Sequence, residues 1–377
     1  QQLAYAQPFL YPKRDDNNEE ALWANPISWI NDYADISKEL RFQGNLSLSY
    51  KISPTFTYRL NLAGSNRNKD RARWYGPTTY QGGLSNGQLG VGNMNRTFYS
   101  GESLLMFRKT NKKHQFNGTV GVTYNHDYLM NTAYLNKQFF SYELTTSGFG
   151  YGSDLSLTIP EESVIEIFSA LARLNYTYNN KYLFTLTGRA DGSSKFSGSN
   201  KFAYFPSASF AWRINQEKFL KNVEQISDLK LRVGYGITGN QGIKPYSTIV
   251  KYSATRYPNP NGGGFLVGVH PQNVGNSNLK WESTSQVNTG LDIGLFHNNL
   301  TITVDAYYKK TTDLLQNFTL PYSTGYATIA QNFGSLENKG LEFSANANII
   351  QKGDFRFGSG FNISFNRNRI LDLGLTP

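Results

Sequence analysis

The chain contains no cysteine and only four histidines, His114, His126, His270 and His297, scattered over 377 residues. Without thiols there is no disulfide framework, no thiolate metal site and no cysteine nucleophile, and four isolated imidazoles do not suggest a histidine metal centre. Charge is also scarce, at 17% of residues. No run of about 18 apolar residues occurs, which excludes a membrane-spanning helix. A membrane remains open, because in a transmembrane β-barrel only alternate residues face lipid and each strand keeps mixed polarity. The opening QQLAYAQPFLYPKRDDNNEE lacks the basic start and apolar core of a signal peptide.

Aromatics and glycine are plentiful: 25 Tyr, 25 Phe and 35 Gly, a composition that favours strands and turns over helices. In the stretch KYLFTLTGRADGSSKFSGSNKFAYFPSASFAWRI (181–214), Tyr182, Phe184 and Leu186, then Tyr204, Ala208, Phe210 and Trp212, alternate with small or polar residues on both sides of a Gly/Ser-rich hinge. Leu300, Ile302, Val304, Ala306 and Tyr308 repeat the pattern, as do Leu341, Phe343, Ala345, Ala347 and Ile349. About twelve such segments appear, near 41–51, 55–64, 97–108, 114–125, 165–178, 181–190, 201–214, 229–238, 281–295, 299–309, 338–349 and 354–366. Each has roughly the length of a tilted membrane strand.

The connections alternate too. Short turns fall at 52–55, 109–114, 179–181, 296–299 and 351–354, with a medium one at 215–228, whereas 65–96, 126–164, 239–280 and 310–337 are long and the hinge at 191–200 is the brief exception. In antiparallel strands this places the short connections at one end, the periplasmic end in outer-membrane barrels, and the long loops outside the cell. Tyr50, Tyr124, Tyr176, Tyr178, Tyr182, Trp212 and Tyr308 near strand ends read as interfacial girdle residues. A soluble β-sandwich also alternates, but its turns recur every 8 to 12 residues or so. The expected fold class is therefore all-β, a transmembrane antiparallel β-barrel, with residues 1–40 an extracellular loop region leading into a partial barrel at 41–377.

NYTYNNKYLFTLTGRADGSSKF, NKFAYFPSASFAWRI, EKFLKN with ISDLKLRVGYGITGNQGI, GNSNLKWESTSQVNTGLDIGLFHNNLTITVDAYYKKTTDLL and NFGSLENKGLEF together resemble the barrel of SusC-like TonB-dependent transporters. The resemblance covers about residues 41–370. It implies a 22-stranded barrel, with an N-terminal plug, that imports a large nutrient, usually an oligosaccharide and in some members a peptide. TonB supplies the energy and a SusD-like lipoprotein caps the mouth. With about twelve strands and neither plug nor TonB box, the chain is expected to be a middle slice of such a protein. The implied setting is the bacterial outer membrane, with lipid bilayer and lipopolysaccharide around the wall, a glycan or peptide as ligand, no cofactor and no enzyme activity.

Candidate ligand- or partner-contacting residues lie in the long connections. Arg71, Arg73, Trp74, Tyr75 and Tyr80 fall in 65–96, and Tyr246, Tyr252, Tyr257 and Phe265 in 239–280. Aromatic faces stack on sugar rings and guanidinium forks bind hydroxyls or carboxylates. Other readings of the first group are a solvated basic loop near lipopolysaccharide phosphates, and of the second, packing of the loop on itself. Arg59, Arg173, Arg189, Arg232, Glu282, Asp292, Asp305 and Glu342 alternate with the apolar positions and are expected to line the lumen, facing the plug. The acidic run at 15–20 reads as a solvated loop and NGGG at 261–264 lacks the residues of a phosphate-binding loop. A net charge of +10 without a nucleic-acid motif does not indicate nucleic-acid binding. The competing function class is a passive porin or adhesion barrel of about twelve strands.

Overall fold

The computed structural model describes residues 26–157, 160–220 and 223–374, so the acidic run at 15–20 lies outside the described residues. The strands are β1 (Tyr33–Lys51), β2 (Phe56–Tyr75), β3 (Gln88–Asn111), β4 (His114–Phe139), β5 (Gly152–Leu157), β6 (Glu161–Tyr178), β7 (Tyr182–Ser193), β8 (Phe202–Arg213) and β9 (Ile226–Asn240). They continue as β10 (Tyr252–Pro258), β11 (Phe265–Pro271), β12 (Glu282–Leu295), β13 (Leu300–Thr312), β14 (Leu315–Thr319), β15 (Thr328–Asn332), β16 (Ser335–Lys352) and β17 (Phe355–Asp372). Twelve of them form one sheet in chain order, β1-β2-β3-β4-β6-β7-β8-β9-β12-β13-β16-β17, with β5 added to β4. All twelve expected segments are these strands. Chain-order pairing through short turns is the meander of a transmembrane barrel wall.

The strands outrun the expectation. Residues 65–75 continue β2, 88–96 begin β3, 126–139 continue β4, and 33–40, expected as a loop, begin β1. β4 reaches 26 residues, well beyond the nine to eleven or so that cross a bilayer. The apolar alternation stops in these extensions because both faces meet polar surroundings, so the period-two signal vanishes while the ladder continues. Side chains bridge the strands there instead: Asn66 Nδ2 donates to Thr97 Oγ1 at 2.9 Å and Asn95 Nδ2 to Asn68 Oδ1 at 2.8 Å.

The described chain divides into two units. The first comprises residues up to 46 with 63–100 and 126–164. Its core is Trp74, Leu89 and Phe139, each at most 1% exposed, packed against Ala34, Ala72, Val91 and Phe149. The helix Pro26–Asp32 leads into β1, and the Asp32 carboxylate accepts from Thr78 N and Oγ1 at 2.9 and 2.8 Å, tying the end of β2 to it. Trp29, Tyr33 and Tyr75 form an aromatic cluster alongside.

The second unit comprises residues 47–62, 101–125 and the chain from 165 onward. Register-paired residues share a face, so rows can be read across strands. Phe210, Val233, Thr289, Ala306, Leu341 and Phe365 form one row, and Trp212, Leu231, Leu291, Val304, Phe343 and Ile363 another. Between them run rows of the opposite face, such as Gly290, Asp305, Glu342 and Ser364. The apolar rows stay exposed, Leu341 at 56% and Phe365 at 62%, as a surface solvated by lipid requires. Tyr178, Tyr182 and Trp212 stack in register at the short-turn end, where girdle residues are expected. At the other end Phe196, Ile243, Leu279 and Trp281 make a small core that packs on Leu315 and Ala330 of the hairpin β14–β15; the hairpin β10–β11 occupies part of 239–280.

Candidate functional site

The polar face of the second unit gathers a charge cluster from three adjacent strands. Arg232 on β9 stands opposite Gly290 on β12, which stands opposite Asp305 on β13. The guanidinium donates from Nε and Nη2 to the two Asp292 carboxylate oxygens, at 2.9 Å each, in the forked geometry that fixes orientation as well as charge. Its Nη2 also lies 2.9 Å from Asp305 Oδ1, and Lys230 Nζ lies 2.8 Å from Asp292. Two cations therefore meet two anions, and the cluster is internally neutral. Gly290 makes room for it, because a Cβ there would collide with Asp305 Oδ1 and Arg232 Nη2. Lys230, an inward-facing position by its parity in the sequence, reaches the cluster through its register opposite Asp292.

The other expected lumen residues take separate roles. Arg189 Nε donates to Asp191 Oδ1 at 2.6 Å and its Nη2 to Ser169 Oγ at 2.8 Å. Arg173 Nε donates to Thr187 Oγ1 at 3.2 Å. Glu282 accepts from Asn240 Nδ2 at 3.2 Å and from Leu315 N at 3.1 Å, so it anchors the base of β14. Glu342 continues the row of Asp305. Neither Glu342 nor the exposed Arg59 makes an ion pair among the described residues.

The residues expected on loops separate into those packed or ion-paired along strands and those exposed on a hairpin. Arg71, Arg73, Trp74 and Tyr75 lie on β2, not on a loop, because cross-strand ion pairs carry the ladder outward. Arg71 Nε donates to Asp35 Oδ1 at 2.7 Å, Arg73 Nε lies 3.3 Å from Asp35 Oδ2, and Arg67 donates from Nε and Nη2 to Glu39 at 2.8 Å each. Trp74, expected to contact ligand, is 1% exposed. Its ring meets Phe139 edge-on at 4.9 Å, so it is a core residue with no face left for a ligand. Tyr75 is half-buried and Tyr80, on the short helix Tyr80–Gly83, is exposed.

In the second unit, Tyr246 is half-buried with Lys251 Nζ 5.6 Å from its ring centroid. Tyr252 and Phe265 are 68% and 69% exposed, and Tyr257 is exposed as well. The β10–β11 register puts Tyr252 opposite Pro271, Ala254 opposite Val269, Arg256 opposite Val267 and Pro258 opposite Phe265. Tyr252, Val269, Val267 and Phe265 thus share one face of a two-stranded hairpin. Nothing packs over that face among the described residues, and isolated two-stranded hairpins are marginal in water. It is the exposed apolar platform of the long connections.

Sequence reasoning missed Asp35 and Glu39 as partners of Arg67, Arg71 and Arg73, because cross-strand contacts depend on register, which spacing does not reveal. It also missed Glu217, between β8 and β9. Glu217 accepts from Lys181 Nζ at 2.8 Å, Tyr182 Oη at 2.7 Å and Trp212 Nε1 at 3.1 Å. These donors, Lys181 foremost, hold its carboxyl down at about 2. The hint in the sequence was an acid only 5 residues after the girdle residue Trp212.

Comparison with known proteins fits this geometry. Residues 2–375 match the family model described as TonB dependent receptor-like, beta-barrel. The TonB-dependent receptor P3 of Formosa agariphila is 33% identical over 352 residues, covering 93% of this chain and 35% of that protein. The TonB-dependent receptor SusC of Bacteroides thetaiotaomicron is 43% identical over 211 residues, covering 55% of this chain and 21% of that protein. The structure of the RagAB peptide transporter superposes with a TM-score of 0.82 at 25% identity, over 92% of this chain and 38% of that one. The chain thus spans about a third of the length of P3.

Proposed function

Since the chain belongs to the TonB dependent receptor-like β-barrel family, an outer-membrane family of transporters and receptors rather than enzymes, we propose that it forms part of the wall of a SusC-like importer. The whole protein carries a large nutrient, an oligosaccharide, across the outer membrane, with energy from TonB and a SusD-like lipoprotein at the mouth. The observation that carries the reading is the pairing of a lipid-facing apolar surface with a polar face whose charges neutralise one another around Arg232. Around Arg232 such a wall offers a wetted interior whose charges are mutually satisfied, leaving no net charge there to trap a passing ligand. The exposed rings of Tyr252, Tyr257 and Phe265 supply stacking surfaces suited to sugar rings.

A peptide is the second reading, supported by the likeness to the RagAB peptide transporter. Extended peptides offer backbone and side chains to the same aromatic platform. Growth of a strain lacking the full-length gene, on purified oligosaccharides and on peptide mixtures as sole carbon source, separates the two. A defect confined to an oligosaccharide supports the first reading and a defect confined to peptides the second. Wild-type growth on both overturns the importer.

A further inference from the structure

The membrane-facing side of β12, β13, β16 and β17 changes character toward the ends that join the long connections. Leu291, Val304, Phe343 and Ile363 form a fully apolar row, and Thr289, Ala306, Leu341 and Phe365 follow. The next row is Val287, Tyr308, Lys339 and Arg367, and the one after it Ser285, Lys310, Glu337 and Arg369. These two rows hold four cations against one acid. The same face of the neighbouring strands has none: Leu186, Gly188 and Ala190 on β7, Tyr204, Pro206 and Ala208 on β8, and Tyr235 and Ile237 on β9 stand there instead. The basic charge is therefore confined to these strands and does not continue onto β9, β8 and β7.

Glu337 does not neutralise the inner pair. It accepts from Tyr308 Oη at 3.1 Å and sits in register between Lys310 and Arg369. Lys339 and Arg367, directly opposite each other, form no ion pair among the described residues. Both border a groove of about 560 Å³ that runs down onto Val287, Ala306, Leu341 and Phe365. Two adjacent cations at the rim of an apolar groove, on a surface bathed in lipid, match a ligand with an anionic head and a hydrocarbon tail.

We propose that this groove binds a phosphorylated lipid of the outer leaflet, with its phosphate against Lys339 and Arg367 and an acyl chain over Ala306, Leu341 and Phe365. The assignment to the outer leaflet rests on the orientation in which the short turns are periplasmic. The site lies on the opposite face of the wall from the Arg232 cluster, so it is separate from nutrient passage.

The test uses the full-length protein purified from its outer membrane in a mild non-ionic detergent, with bound lipid counted by native mass spectrometry. The wild type is expected to retain a phosphorylated lipid. The double variant Lys339→Gln with Arg367→Gln is expected to lose it by more than about tenfold, while Lys309→Gln, on the opposite face, retains it. Delipidated wild-type protein, offered purified outer-leaflet lipid before and after phosphatase treatment, gives a readout independent of folding of the variant. Capture of only the phosphorylated form supports the site. Equal retention by wild type and double variant, equal capture of both lipid forms, or displacement by millimolar inorganic phosphate would each overturn it. The last would mean a simple anion site, and a bound protein in place of lipid would mean a docking surface.

Discussion

At Gly290 a hydrogen atom stands where any other residue would drive a carbon into the Arg232 guanidinium and the Asp305 carboxylate. Gly290→Ala is expected to pry this cluster apart and destabilise the wall by about 1–3 kcal/mol, as overpacking does. The thermal midpoint of the heat-modifiable folded band on a gel reads it, and an unchanged midpoint would mean that the cluster is slack. Glu217 makes a second residue-scale prediction, of opposite pH sense to a histidine switch. Its carboxyl ordinarily titrates near 4.5 and is held at about 2 in the folded protein. The stabilising contribution is therefore complete above about 4.5 and fades as pH falls toward 2. Wild-type thermal stability should drop across that window through this turn, whereas Glu217→Gln should start lower and lack that part of the drop. Identical pH profiles for the two would remove Glu217 from the account.

At the scale of the element, β13 tests the assignment of faces. Val304→Lys puts a charge into the row of Leu291 and Phe343 and is expected to cost about 2–4 kcal/mol at mid-membrane. Thr303→Lys, one residue away on the polar face, is expected to assemble normally. The yield of folded protein in the outer membrane compares them, and equal yields would mean that the faces are reversed. The β10–β11 hairpin predicts the contrary pattern. Replacing Tyr252 and Phe265 together by Ser should leave assembly unchanged and lower nutrient uptake by roughly tenfold, the loss expected on truncating aromatic anchors. Full uptake would make the platform incidental.

The same elements show what the sequence made legible. β13 was readable because lipid on one side and water on the other impose strict alternation on Leu300 to Tyr308. The outer parts of β2 and β4 were not, since water on both sides removes the alternation and leaves only pairings such as Arg67 with Glu39. Trp74 was misread for that reason: beside Arg73 and Tyr75 it resembled a ligand-stacking ring, and only the long-range approach of Leu89 and Phe139 buries it. The charged positions of the Arg232 cluster were individually visible through their parity, but their convergence required the β9, β12 and β13 registers. Tyr252 and Phe265 were named from composition, and the hairpin register explains why they share a face.

For the whole molecule, the chain-order sheet among the described residues leaves β1 paired only with β2 and β17 only with β16. In hydrocarbon each unpaired backbone group costs several kcal/mol, so these edges must be covered when the wall is in a membrane. That requirement, together with the family and the share of its relatives that the chain spans, supports the proposal that these residues are part of a larger barrel. The most direct measurement is the rate of nutrient uptake by intact cells carrying the full-length protein, before and after the proton-motive force is collapsed. Uptake is expected to fall to the level of a strain lacking the gene. Uptake that continues undiminished would contradict the importer and identify the wall as that of a passive pore.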